Sequence, residues 1–112
     1  MSDFRIFSPK DPGEEVPITF DFTDDLNQGE ALTGTPSFSN SVYRGEPDAN
    51  IAAMSTTPAQ IIASGTKVAQ FITGGVDGNW YGTKATCQTS SGRTLSVGGI
   101  LKIIQSFLQK PF

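Results

Sequence analysis

Between Thr66 and Val97 two glycine-bearing breaks, Gly74-Gly75-Val76-Asp77-Gly78 and Ser90-Ser91-Gly92, cut the chain into three runs. Each run is short and alternates with a period of two, which suits strands and not helices. Lys67–Thr73 is β-branched or aromatic at Val68, Phe71, Ile72 and Thr73. Trp80–Thr89 sets Tyr81, Thr83, Ala85, Cys87 and Thr89 on one face and Lys84, Thr86 and Gln88 on the other. Arg93–Val97 continues the alternation with Leu95 and Val97. Glycine supplies the positive φ that a chain reversal needs. The pattern predicts a three-stranded meander within one sheet, with Gly74, Gly75, Asp77, Gly78 and Tyr81 forming a structural corner.

The rest of the chain extends the all-β reading. Val16–Thr23 places Ile18, Phe20 and Phe22 on one face and Pro17, Thr19 and Asp21 on the other. Pro17 fits an edge or first-residue position. A strand is expected near Thr35–Val42, interrupted or edged at Pro36, and a short edge strand at Ile51–Thr57. Gln60–Ala63 should pair with Lys67–Thr73 across Ser64-Gly65-Thr66. Residues 98–108 read either as a strand continuing from Arg93 or as a helix, and two glycines favour a strand to about Ile104. About seven or eight short antiparallel strands and no helix predict a β-sandwich. Its expected organisation is an extended N-terminal arm over residues 1–15, a sandwich over 16–104 and a short C-terminal tail over 105–112.

Chemistry is scarce in this composition. With no His among the 112 residues, His-based catalysis and His-ligated metal sites are excluded, and the single Cys87 allows no internal disulfide. Cys87 falls on an inward strand face, as a small buried hydrophobe does. The adjacent pairs Glu14-Glu15 and Asp24-Asp25 would point to opposite sides of extended backbone, which is poor geometry for acid–base work. Asp21, Asp24 and Asp25 are hard oxygen donors in a calcium-like cluster, without the spacing of a known loop. The glycine-rich break lacks the Lys-Ser/Thr and the following helix of a phosphate loop. The net charge of −3 provides no nucleic-acid footprint for Trp80 and Tyr81. No signal peptide or membrane span is visible, so synthesis in the cytoplasm is expected. The expectation is a protein that is not an enzyme and needs no cofactor, metal, nucleic acid, membrane or small molecule.

Charge is uneven: residues 1–48 carry ten of the eleven acids and a net −7, whereas the remainder carries +4. This predicts acidic and basic faces that could meet in neighbouring copies. The candidate partner-binding residues lie in the ends: Phe4, Ile6, Phe7 and Pro9 in the arm, and Phe107, Leu108 and Phe112 in the tail. The arm either folds back on its own domain or adds to a neighbour. Removing Met1–Asp11 is expected to leave the domain folded.

Two resemblances bear on these residues. Asp77-Gly78-Asn79-Trp80-Tyr81 has the Asp-x-x-x-Tyr spacing of the corner in immunoglobulin-like domains, with Thr83 where antibody domains carry Cys. That resemblance implies an immunoglobulin-like sandwich without the disulfide. More broadly, Ser8-Pro9-Lys10-Asp11-Pro12, the Ile18–Phe22 strand, Ile72–Gly78 and Thr89-Ser90-Ser91-Gly92-Arg93-Thr94-Leu95 resemble a family of small tailed-bacteriophage proteins, the fiber–tail adaptors of short-tailed phages. The resemblance spans Ser8–Val97, while Phe107–Phe112 matches no pattern of the family. It implies a structural virion protein that joins tail fiber to the tail or its adaptor-nozzle complex, with those proteins and neighbouring copies as partners. Its place would be the virion tail, after synthesis in the host cytoplasm. The alternative from another class is a carbohydrate- or host-surface-binding module using Trp80 and Tyr43.

Overall fold

The computed structural model describes residues 4–105. Seven strands follow in chain order: β1 (Phe4–Ile6), β2 (Glu15–Asp21), β3 (Leu32–Arg44), β4 (Gln60–Ile62), β5 (Lys67–Thr73), β6 (Trp80–Thr89) and β7 (Thr94–Lys102). They form two sheets, β1-β7-β6-β3 and β2-β5-β4. The body is antiparallel, three strands per sheet, and β1 adds to the edge of β7 in parallel with Phe4 opposite Gly98 and Ile6 opposite Ile100. Six antiparallel strands plus this short addition replace the seven or eight antiparallel strands that alternation predicts. Short 3-10 turns at Thr23–Asp25, Ile51–Ser55 and Ala63–Gly65 are the helical pieces among the described residues. None is long and apolar enough to cross a membrane.

The expected meander is not one sheet. β5 pairs with β2 and β4, whereas β6 pairs with β3 and β7. Gly74–Asn79 therefore carries the chain from one layer to the other and is not a hairpin. The reason is burial: Val68, Ile72, Tyr81, Ala85 and Cys87 all face the interior, so β5 and β6 cover the core from opposite sides. Ser90-Ser91-Gly92 does close a hairpin, with Cys87 opposite Leu95 and Gln88 opposite Thr94.

Other boundaries moved for physical reasons. β3 runs for 13 residues, longer than expected, with a register shift between Thr33 and Ser37 that absorbs Pro36. Ile51–Ser55 is a 3-10 turn in place of an edge strand, because Met54 turns into the core from it. β7 continues unbroken through Gly98 and Gly99 to Lys102, which settles that part of the strand-or-helix ambiguity. β4 pairs with β5 as expected. The Phe22 amide donates to the Thr66 carbonyl, so even-numbered β2 residues bond toward β5. Pro17 is odd and faces the free edge, where its missing N–H costs no ladder bond and blunts further pairing.

Ile18, Phe20, Phe22, Val68, Ile72, Tyr81, Val97, Leu101 and Ile103 make up most of the core between the layers. Phe20 stands at its centre, with the Phe7 ring edge-on at 5.3 Å and the Phe38 ring tilted at 5.8 Å. Burial of one such phenyl contributes about 2–3 kcal/mol.

Candidate functional site

Glycines and one tyrosine build the crossing between the layers. Gly74, Gly75 and Gly78 have φ of 69°, 99° and 90°, all in the left-handed region. A Cβ on Gly75 would come within 2.8 Å of Ile103 Cγ1, so close approach adds to the φ requirement. Tyr81 is completely buried. Its hydroxyl accepts from the Val76 amide at 3.0 Å and donates to Asp48 Oδ2 at 2.7 Å. Burial is the main reason its phenol is pushed above the usual range. Asn79, also buried, donates to the Glu46 carbonyl and accepts from the Glu46 amide. The loop 45–48 is thus tied to the crossing. Asp77 is exposed and accepts from the Gln105 amide at 3.1 Å.

The arm folds back along its own domain. After β1, the Phe7 amide donates to Ile100, the Lys10 amide to Lys102 and the Ile104 amide to Lys10. Lys10 is 1% exposed, and its ammonium donates to the Gly74 carbonyl at 2.7 Å and the Asp11 carbonyl at 2.8 Å. Desolvation lowers its pKa. The arm is therefore latched to the crossing by a buried cation. The expectation that Met1–Asp11 can be removed without harm to the fold is corrected: such a cut deletes Lys10 and the Phe7 ring from the interior.

The arm residues expected to meet a partner separate by side-chain direction. Phe7 packs on the core, Ile6 is 74% exposed, Pro9 is exposed, and Phe4 is placed by its backbone opposite Gly98. Between the arm and β2 lies a groove of about 420 Å³ lined by Phe7, Ser8, Pro9, Val16, Pro17 and Ile18. Phe107, Leu108 and Phe112 lie outside the described residues.

Trp80 does not offer an open sugar platform. The Arg44 guanidinium sits 4.8 Å from its ring centroid and the Lys102 ammonium 4.6 Å, one from each neighbouring strand. Tyr43 is 59% exposed beside the register shift at the end of β3. Cys87 is buried, and its thiol pKa is pushed up by desolvation, away from nucleophile behaviour. Asp21 accepts from the backbone and hydroxyl of Thr23, closing a local turn. No group of three or more metal-ligating side chains occurs among the described residues.

At the opposite end, Arg93 reaches back to the loop before β3. Its Nε donates to Glu30 Oε2 at 3.0 Å and one terminal nitrogen to the Asp25 carbonyl at 2.9 Å. The same guanidinium pairs with Glu30 Oε1, and Ser91 donates to Glu30 as well. These bonds, Arg93 first, hold the Glu30 carboxyl well below the usual carboxylate range. Sequence reasoning missed Glu30, Asn79 and the latch role of Lys10. Their signal is weak because a single polar residue in a loop looks solvated until a partner distant in sequence is known.

A family described as podophage GP4 fiber-tail adaptor protein gp77 matches residues 10–102. No curated protein and no solved structure matches.

Proposed function

The chain belongs to the podophage GP4 fiber-tail adaptor family, and from that premise we propose that it joins the tail fiber to the tail or adaptor-nozzle complex of a short-tailed phage. The family assignment makes it a structural tail protein. The joining role goes further, and the match over residues 10–102, nearly the whole sandwich, carries it.

In this reading the sandwich is a rigid spacer and its ends are the grips. Ile6 and Pro9 in the arm are available to a partner, and Phe107, Leu108 and Phe112 in the tail serve the same purpose. The partners are the tail fiber, the adaptor or nozzle and neighbouring copies, and the chain acts in the virion after synthesis in the host cytoplasm. A spacer needs no catalytic group or cofactor. We read the sandwich as immunoglobulin-like, because the Tyr81 hydroxyl bonds upstream backbone at Val76 where the chain changes sheets. Residues 1–15, 16–104 and 105–112 serve as arm, body and tail.

Ile6→Asp keeps Lys10 and Phe7 in place and is the test. The variant should keep the thermal unfolding of the parent while particles assembled with it lose fibers. Full fiber occupancy with Ile6→Asp, and again with a chain ending at Gln105, would refute the grips.

A further inference from the structure

The two outer faces of the sandwich differ in charge. β1, β3, β6 and β7 contain no Asp or Glu, yet β3, β6 and β7 carry Arg44, Lys84 and Lys102. The three-stranded sheet carries Glu15 and Asp21 on β2 against Lys67 on β5. In register, Lys84 lies opposite Gly98 and Ser39, and Lys102 opposite Trp80, so these cations share the outward face of the four-stranded sheet. On the other layer Glu15 lies opposite Thr73 and Asp21 opposite Lys67, on the outward side with Pro17 and Phe71.

Apolar exposure follows the same division. The most exposed large hydrophobics among the described residues are Ile6, Tyr43, Phe71 and Ile62. Ile6 and Tyr43 belong to the four-stranded sheet and Phe71 and Ile62 to the three-stranded one. Beside Phe71 a hollow of about 250 Å³ is lined by Thr57, Pro58, Gln60 and Ala69. One face therefore carries cations alone beside exposed Tyr43, and the other carries two carboxylates against one lysine, with an apolar hollow. Two cationic faces stacked together would oppose like charges, whereas the cationic face complements the Glu15 and Asp21 carboxylates of the other layer. A contact between unlike faces is heterologous and propagates head to tail, closing into a ring or continuing as a stack.

We infer that copies of this chain dock face to face, the outer face of the four-stranded sheet of one copy on the outer face of the three-stranded sheet of the next. The inference rests on the adaptor reading, which includes contact between neighbouring copies, and it names the surfaces. Arg44, Lys84 and Lys102 meet the layer of Glu15 and Asp21, while Phe71 on the middle strand of its sheet supplies an apolar anchor and Tyr43 adds exposed apolar surface at the rim. A body of 49 × 30 × 22 Å has faces large enough for the roughly 800 Å² per partner of a standard interface.

Sedimentation velocity on the full chain, over a concentration series at low and high salt, reads this directly. The parent should associate, and added salt should weaken the association. Lys84→Glu and Phe71→Lys, both at exposed outward positions, should each sediment as monomer with unchanged thermal unfolding. Mixed together they should form a one-to-one complex, because each retains the face the other has lost. A monomeric parent at every concentration and salt would overturn the inference. So would Phe71→Lys associating as the parent does, since the cationic face would then bind itself or something else, or a mixture of the two folded variants that stays monomeric. Particle incorporation is scored separately. A chain that enters particles but never self-associates sinks this docking and leaves the adaptor reading intact.

Discussion

The two ends of the sandwich hold their loops by opposite means. At one end Tyr81, Asn79 and Lys10 bind backbone groups inside the protein, with Gly75 pressed against Ile103. At the other, Arg93, 40% exposed, clasps Glu30, whose side chain is only 3% exposed, and the Asp25 carbonyl. Both arrangements tie segments distant in sequence, but they work in different surroundings. A buried polar group left without its partner costs its full desolvation, whereas an ion pair with its arginine open to water is partly screened from that side. The crossing end should therefore be the rigid one, and the hairpin end the one that conditions can loosen.

Tyr81→Ala is the harshest way to break that contrast. It removes a fully buried ring together with its hydroxyl, and a loss of about 3–5 kcal/mol in chemical denaturation is expected. Tyr81→Phe keeps the ring and strands the Val76 amide and Asp48, so about 1–3 kcal/mol should be lost. If the two variants lost equal amounts, the hydroxyl network and not the ring would be the anchor. Gly75→Ala forces a Cβ toward Ile103 at φ 99° and should cost about 1–3 kcal/mol by the same measurement.

The smallest effect belongs to the hairpin end. The Glu30 pKa is depressed in the fold, so its contribution is fully present above the unfolded carboxylate range. It is lost as pH falls through that range toward the folded value. Glu30→Gln should thus lower the melting temperature at neutral pH, with the gap to the parent closing as the solution is acidified. Added salt should narrow the same gap. A gap that ignores both pH and salt would show that Glu30 acts by packing and not by charge.

Much of the fold was legible because alternation reports burial directly. Ile18 and Phe20 on β2, with Phe22 just past its end, fall on one side, and Tyr81, Ala85 and Cys87 on one side of β6, as their spacing demands. Which sheet a strand joins is not a local property. The run from Lys67 to Thr89 reads the same whether Gly74–Asn79 reverses within a sheet or crosses between two, and Asp48, Lys10 and Ile103 decide it from elsewhere in the chain. Lys10 shows the limit most clearly. A lysine between prolines looks solvated, yet its ammonium lies inside because two carbonyls await it. For the candidate site, the sequence offers no means of telling exposed Ile6 from inward-turned Phe7. Both are apolar residues of a short extended run, and only the neighbouring Phe20 ring distinguishes them.

Chemical cross-linking of intact particles, read by peptide mass spectrometry, tests the adaptor assignment most directly. The account predicts cross-links from this chain to the tail fiber on one side and to the tail or its adaptor-nozzle complex on the other. Links to neither protein in particles that carry fibers, or absence of the chain from such particles, would contradict it.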